Sequence, residues 1–413
     1  MYQHPVPQRV RVLILGGGIH GVGVFHDLAS RGWKDIFLVE KCSLGNGTSS
    51  KSTKLIHGGL RYLRQISQFS MVKESLRERS LLLTVAPDIV RPIELIFPIQ
   101  KNVGESSWLV KIGLSLYDFL AGQENIEKNK SLSHAQASAK IPHLNVDKFT
   151  RFYSFWDAQT DDLALVHRVA ASGLALGGGI AENTEVLSVE QTNEGFLVSV
   201  QDHQGNIQKI SCLFVINCLG PWANTFLEKT GLKAPYQGIN NKGSHLVFDD
   251  IGLESGLFMQ SPADNRICFL LPWLGKTLLG TTEALYNGNP DEDKVADEEV
   301  QYLLQIANQY LTKPLKETDI RAKFAGYRWL AVGGKNDISL TSREHLLGEL
   351  RSTRGFMLTV YGGKLTSYRS LAEKIGDKLT RAFGEFRPSM TKDPKSWLKP
   401  FEQPGFDPVA RFN

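Results

Sequence analysis

Three glycines and one acid carry the first recognisable chemistry in this chain. Gly16, Gly18 and Gly21 stand in Gly16-Gly17-Gly18-Ile19-His20-Gly21, after the apolar run Val12-Leu13-Ile14-Leu15. Glu40 closes a second apolar run, Ile36-Phe37-Leu38-Val39. The order is strand, G-x-G-x-x-G, helix, strand, acid. Gly16 permits the tight turn, Gly18 lets backbone approach a pyrophosphate, and Gly21 lets the helix pack close to the sheet. The helix N-terminus offers N–H groups and partial positive charge to phosphates. Glu40 can accept hydrogen bonds from ribose hydroxyls. Glycines alone also mark ordinary turns; with both strands and the acid at this distance they mark a dinucleotide site.

The elements that must hold such a site follow from periodicity. Residues 68–86 read as a helix, with Phe69, Val72, Leu76, Leu83 and Val85 set against Lys73, Glu74, Arg77, Glu78 and Arg79. Residues 93–99 read as a strand. Trp108 to Leu120 is apolar apart from Lys111 and Asp118, so it is either a buried capping helix or a membrane-facing amphipathic element. Thr184–Val189, Phe196–Gln201 and Ile210–Ile216 alternate as strands, with a hairpin turn at Asp202 to Asn206. Further strands are expected at Ser244–Phe248, Ile267–Leu271, Thr277–Gly280 and Ile338–Thr341, and a helix at 297–311. Phe356 to Tyr361 runs as a strand into Gly362-Gly363-Lys364-Leu365-Thr366 and a helix to about Phe383. Strand-to-glycine-to-helix transitions thus occur near residues 16, 220 and 363. They suit a long cofactor touched by distant segments, which tilts the choice toward FAD. From Arg387 the chain lacks periodicity and reads as a tail or loosely packed strap.

Bulk properties narrow the class. At 413 residues the chain can form two domains. Hydrophobic content of 42% and charged content of 22% are those of a globular protein. A net charge of +4 without a dense Lys/Arg tract argues against nucleic acid. Cys42, Cys212, Cys218 and Cys268 are scattered with no C-x-x-C, which points to a reducing, cytoplasmic compartment and no metal site. Met1-Tyr2-Gln3-His4-Pro5 lacks the charged start and apolar block of a signal peptide. No run approaches the ~20 apolar residues that span a bilayer.

The stretch Ser49-Ser50-Lys51-Ser52-Thr53-Lys54-Leu55-Ile56-His57-Gly58-Gly59-Leu60-Arg61-Tyr62-Leu63 resembles the signature of FAD-dependent glycerol-3-phosphate dehydrogenases, within the D-amino-acid-oxidase-like flavoproteins. Asp157-Ala158-Gln159-Thr160-Asp161-Asp162, Asn217-Cys218-Leu219-Gly220-Pro221-Trp222, Lys242-Gly243-Ser244-His245, Leu279-Gly280-Thr281-Thr282, Gly326-Tyr327-Arg328 and Tyr361 to Arg369 agree in order. The resemblance spans roughly residues 10–385. It implies an α/β fold: a Rossmann-type FAD-binding domain with an inserted mixed/antiparallel-sheet substrate domain. The expected division is 1–90, 151–235 and 345–390 for the cofactor, 91–150 and 236–344 for the substrate, and 391–413 as a C-terminal tail, the family's helical C-terminal domain being absent.

The resemblance also implies roles. Gly16, Gly18, Gly21 and Glu40 would bind the ADP half of FAD. Ser49 and Ser50 would touch the pyrophosphate, and Lys54 would neutralise nearby charge. Leu55, Ile56, His57 and Gly58 would lie along the flavin, and Val186 would meet the adenine. Gly220 and Trp222 would close over the cofactor. Gly363, Lys364, Leu365 and Thr366 would meet the pyrimidine edge. The substrate phosphate would be held by Arg61, Tyr62, Arg328, Arg343 and Lys364, since a dianion needs several cations and arginine offers a bidentate fork.

The implied reaction oxidises sn-glycerol 3-phosphate to dihydroxyacetone phosphate, with hydride passing to flavin N5 and electrons then to a quinone. His57 and His245 are the proton-accepting candidates at neutral pH, and Arg328 with Lys364 can share the work by lowering the hydroxyl pKa. The alternatives are a glycerol-3-phosphate oxidase using oxygen, an amino-acid or amine oxidase, and a flavin-binding scaffold or redox sensor. The resemblance further implies a homodimer and peripheral contact with the inner face of the cell membrane. Two departures stand out. Ala164 stands where the family usually carries arginine, so either a structural ion pair or a contact behind the site is expected to be lost, and Glu283 follows Thr281-Thr282 where aspartate is more usual.

Overall fold

The computed structural model describes residues 2–100, 105–292, 294–332, 345–399 and 409–412. The first apolar run is the strand Arg9–Leu15, in which Val12 to Leu15 are fully buried. Its run is continuous because neighbours cover both faces of a parallel sheet. It pairs in parallel with Ile36–Val39 on one side and Ile207–Asn217 on the other. Phe356–Tyr361 extends the sheet in parallel beyond Ile207–Asn217, and Gly179–Ala181 extends it beyond Ile36–Val39. The helix Ile19–Ser30 packs between Asp162–Ala175 and Tyr368–Phe383 in one apolar core with this sheet. Segments far apart in sequence therefore end at one sheet edge, where glycine turns follow three strands. In doubly wound folds ligands bind at that edge.

The second sheet is mixed. Gly238–Asp249 pairs antiparallel with Ile320–Ala331 and with Lys276–Gly280. Val90–Gln100 pairs antiparallel with Phe149–Thr160 and parallel with Gly256–Gln260. The expected boundary between 150 and 151 is displaced. Phe149–Thr160 is a strand of this second sheet and also receives Leu55–Ile56. Its residues do not alternate strictly between apolar and polar, so no period-2 pattern marks the strand or its sheet.

The last segment corrects the expectation of loose packing. Trp397 is buried against the first core, and its indole N–H donates to the Thr391 carbonyl at 2.9 Å. His26 Nε2 meets the Ser396 carbonyl at 2.8 Å. The helix Ser107–Ala121 divides its residues between two surroundings. Val110, Leu114, Tyr117 and Ala121 are buried, while Trp108 and Phe119 are 66% and 79% exposed. Among the described residues no helix is long and apolar enough to cross a membrane. Arg343 and the strand expected at 338–341 lie outside the described residues.

Candidate active site

A cavity of about 640 Å³ runs from the first glycine turn to the second sheet. At one end lie Gly16, Gly18, Glu40 and Val186; at the other lie His57, Arg61, Tyr62, His245, Arg328 and Lys364. Ser49, Leu55, Gly220, Trp222, Gly363, Leu365 and Thr366 also line it. A side chain at Gly16 would stand 2.8 Å from the Cys218 carbonyl, and Gly16 has φ +97°, so the turn demands glycine. A Cβ at Gly21 would overlap the Gly16 carbonyl oxygen, which is the close helix–strand approach its place in the motif requires.

Glu40 organises the nucleotide end. Its carboxylate accepts the Gly17 N–H at 2.6 Å and the Cys42 N–H at 2.9 Å. Burial pushes the carboxyl pKa up, while these two N–H groups oppose the shift. A carboxylate has about four acceptor positions, so two remain for hydroxyls. Ser49 Oγ accepts the Ile19 N–H at 2.8 Å, in the first turn of the helix. The neck of the cavity is thus bordered by glycine backbone, a helix N-terminus and a hydroxyl. That donor set fits a pyrophosphate.

Five residues expected at the cofactor, Gly21, Ser50, Lys54, Ile56 and Gly58, do not border the cavity. Lys54 is fully buried, and its ammonium bonds the Ser50 carbonyl at 2.5 Å and both Asp162 oxygens at 2.8 and 2.9 Å. It does not border the cavity, because a buried lysine in reach of a carboxylate pairs with it. Burial lowers its pKa to about 8 against the raising influence of Asp162. Ser50 is buried and turns its hydroxyl to the Gly47 carbonyl at 3.4 Å. Ile56 is fully buried in the first core. Gly58 gives its N–H to Tyr117 Oη at 2.8 Å and to Asp157 Oδ1 at 3.3 Å. Asp157 is in turn held by Arg79 at 2.8 Å, which fixes the turn after His57.

At the reacting end, strand register does the positioning. His245 on Gly238–Asp249 faces Phe324 on Ile320–Ala331 and Gly280 on Lys276–Gly280. Its ring occupies the space a side chain at Gly280 would fill. His245 Nε2 lies 3.0 Å from Thr53 Oγ1. Burial, aided by the charges of Lys54 and Arg328, lowers its pKa to about 3, so the ring is neutral at pH 7. His57 is half-buried, and its N–H donates to Thr366 Oγ1 at 3.1 Å. Lys364 Nζ sits 4.1 Å from the centroid of Tyr62, and Arg61 Nη1 lies 3.8 Å from Glu283 Oε1. Arg61, Arg328 and Lys364 therefore face one space together with Tyr62 and two histidines.

Sequence reasoning missed several residues of this region. Thr53, His20 and Glu283 border the cavity without having been assigned to it. His20 sits inside the glycine motif, where the spacing shows only a helix start, and it packs where a Gly363 side chain would go. Arg411 reaches Asp161 at 3.0 Å, at the start of the helix that carries Ala164. No local pattern links position 411 to position 161.

The sequence pattern of FAD dependent oxidoreductases matches residues 11–369. The chain belongs to that family, and FAD is its cofactor. Within it, the chain groups with dehydrogenases of phosphorylated polyols. It is 33% identical to the glycerol-3-phosphate dehydrogenase of Pseudomonas aeruginosa, over 94% of this chain and 75% of that one. It is 32% identical to the D-erythritol 1-phosphate dehydrogenase of Brucella abortus, over 94% of this chain and 77% of that one. Among solved structures, the glycerol-3-phosphate dehydrogenase of Bacillus halodurans complexed with FAD superposes with a TM-score of 0.74 at 25% identity, covering 93% of this chain and 67% of that one.

Proposed function

We propose that the protein oxidises sn-glycerol 3-phosphate to dihydroxyacetone phosphate. The observation that carries this reading is that Arg61, Arg328, Lys364 and His245 line one cavity. Arginine and lysine together suit a phosphate dianion, and the His245 ring, 3.0 Å from the Thr53 hydroxyl, is placed to exchange a proton with it. The relatives' names agree with that chemistry.

FAD supplies the two-electron acceptor for the hydride lost from C2. Arg328 and Lys364 bind and orient the phosphate. His245 Nε2 takes the C2 hydroxyl proton, directly or through the Thr53 hydroxyl beside it. His57 borders the same space and is the second candidate for that proton. The cations around the site make the developing alkoxide less costly. Gly16, Gly18 and Ser49 hold the pyrophosphate, and Glu40 holds the adenosine ribose.

Electrons then leave to a quinone at a membrane surface. The support is the outer face of Ser107–Ala121, where Trp108, Leu109, Ile112 and Phe119 are exposed beside Lys111. Exposed apolar clusters of this kind mark contact surfaces. The scattered free cysteines and this face favour the inner side of the cell membrane. A second reading keeps the site and lengthens the substrate to D-erythritol 1-phosphate, which the Brucella relative favours.

The test is anaerobic mixing of the purified yellow protein with candidate substrates. Glycerol 3-phosphate should bleach the flavin band within seconds, faster than erythritol 1-phosphate does. Bleaching by amino acids alone would overturn the reading. Reoxidation by a soluble quinone analogue well ahead of oxygen separates dehydrogenase from oxidase.

A further inference from the structure

The ring of His245 is one end of a stack that reaches a distant part of the chain. Phe324 lies against it with centroids 4.8 Å apart and planes at 12°. Phe412 lies against Phe324 at 4.1 Å and 15°. Two rings that are each nearly parallel to Phe324 at such distances must cover its opposite faces. Phe324 is fully buried between them. The turn Ala410–Phe412 is itself pinned. Arg411 pairs with Asp161 at 3.0 Å, and its guanidinium sits 4.9 Å from the Trp273 centroid. Lys54 lies 5.0 Å from Phe324 and 5.3 Å from Phe412, on the same cluster.

We infer that Phe412 and Arg411 are positioning residues for the proton-accepting histidine, an inference that rests on the His245 role proposed above. Aromatic stacking favours defined offsets, so Phe412 fixes the Phe324 plane and Phe324 fixes the imidazole. Arg411 holds the turn in place, through Asp161 at the start of the helix Asp162–Ala175. Without Phe412, Phe324 can tilt into the vacated space and release His245 from its line to Thr53. A misplaced proton acceptor lowers the rate of the chemical step more than it lowers substrate binding.

The experiment compares Phe412→Ala, Phe412→Leu and Phe412→Tyr in the FAD-loaded protein. The first readout is the His245 ring proton resonance, assigned by its loss in His245→Asn. In wild type the stacked Phe324 ring should displace it by its ring current. The second is the rate constant of flavin reduction at saturating glycerol 3-phosphate. Phe412→Ala should move the resonance and slow reduction about tenfold, with half-saturation changed less than about twofold. Phe412→Leu keeps apolar volume without a flat ring and should behave similarly if Phe412→Ala fails to fold. Phe412→Tyr should restore both readouts. An unmoved resonance in the folded variant overturns the inference, as does a lowered melting temperature with reduction rate per bound flavin unchanged. Failure of glycerol 3-phosphate to reduce even the wild type overturns the substrate reading instead, and the resonance still decides whether Phe412 positions His245.

Discussion

Lys54 and Asp162 form an ion pair at 2.8 Å with both side chains fully buried. The pair ties the segment that enters the second sheet to the start of the helix Asp162–Ala175. Ser52 adds its hydroxyl to the same carboxylate at 2.7 Å. Removing one member of a buried pair leaves an uncompensated charge, which costs about 3–5 kcal/mol. Lys54→Met should therefore lower unfolding stability by that amount in denaturant titration. Lys54→Met with Asp162→Asn should regain part of it, because a neutral amide is cheaper to bury than a carboxylate. FAD affinity of the folded Lys54→Met protein should change by less than the stability does, since the ammonium does not border the cavity. A selective loss of FAD affinity with stability intact would return Lys54 to the cofactor.

Glu40 behaves as a clamp before it behaves as a ribose ligand. Its two bonds to Gly17 and Cys42 N–H groups shape the turn in which the pyrophosphate would rest. Hydrogen bonds to a charged group contribute about 1.5–3 kcal/mol. Glu40→Gln keeps the shape and loses the charge and one acceptor oxygen. It should weaken FAD binding roughly tenfold or more, read by quenching of FAD fluorescence. Glu40→Ala should do worse, since two buried N–H groups lose their acceptor.

Arg328 stands on the strand beside Gly238–Asp249, in register with Asn241. If its guanidinium grips phosphate, Arg328→Ala should reduce kcat/KM for glycerol 3-phosphate by at least about 2 kcal/mol, roughly 30-fold. The rate with glycerol should fall far less. Arg328→Lys should recover little, because an ammonium has no planar fork. Equal losses with both substrates would remove Arg328 from the phosphate site.

The sequence made some of this legible and hid the rest for physical reasons. Gly16, Gly18, Gly21 and Glu40 were readable because their chemistry is local: one turn, one helix start, one strand end. Three strand-to-glycine transitions likewise marked where a long cofactor would be touched. The Lys54 ion pair was hidden because its partner Asp162 is far along the chain. The boundary expected between 150 and 151 cuts the strand Phe149–Thr160, whose pairing with Val90–Gln100 joins segments far apart in sequence. The His245, Phe324 and Phe412 stack joins three separate segments, so no window of sequence contains it.

Buried histidines give the chain an acid sensitivity whose sign is fixed. Burial lowers the pKa of His20 and His26 to about 4 and that of His245 to about 3. Unfolded, each would take a proton near pH 6.5. Between that value and the native one, the unfolded state binds the proton and the native state does not. Each histidine's contribution is therefore fully present above pH 6.5 and is lost as pH falls toward 4, by up to about 1.4 kcal/mol per pH unit. Buried carboxyls run the other way: burial raises Asp27 to about 6, so its native state takes a proton first. The difference between two proteins isolates one histidine. His26 Nε2 meets the Ser396 carbonyl at 2.8 Å, a contact glutamine can also make, and its ring packs edge-on against Trp397 at 5.1 Å. His26→Gln should show a stability-versus-pH slope shallower by about 1.4 kcal/mol per unit between pH 6 and 4.5, measured by urea unfolding. Identical slopes in both proteins would mean that His26 is already protonated in the native state, and that its burial is compensated by charge.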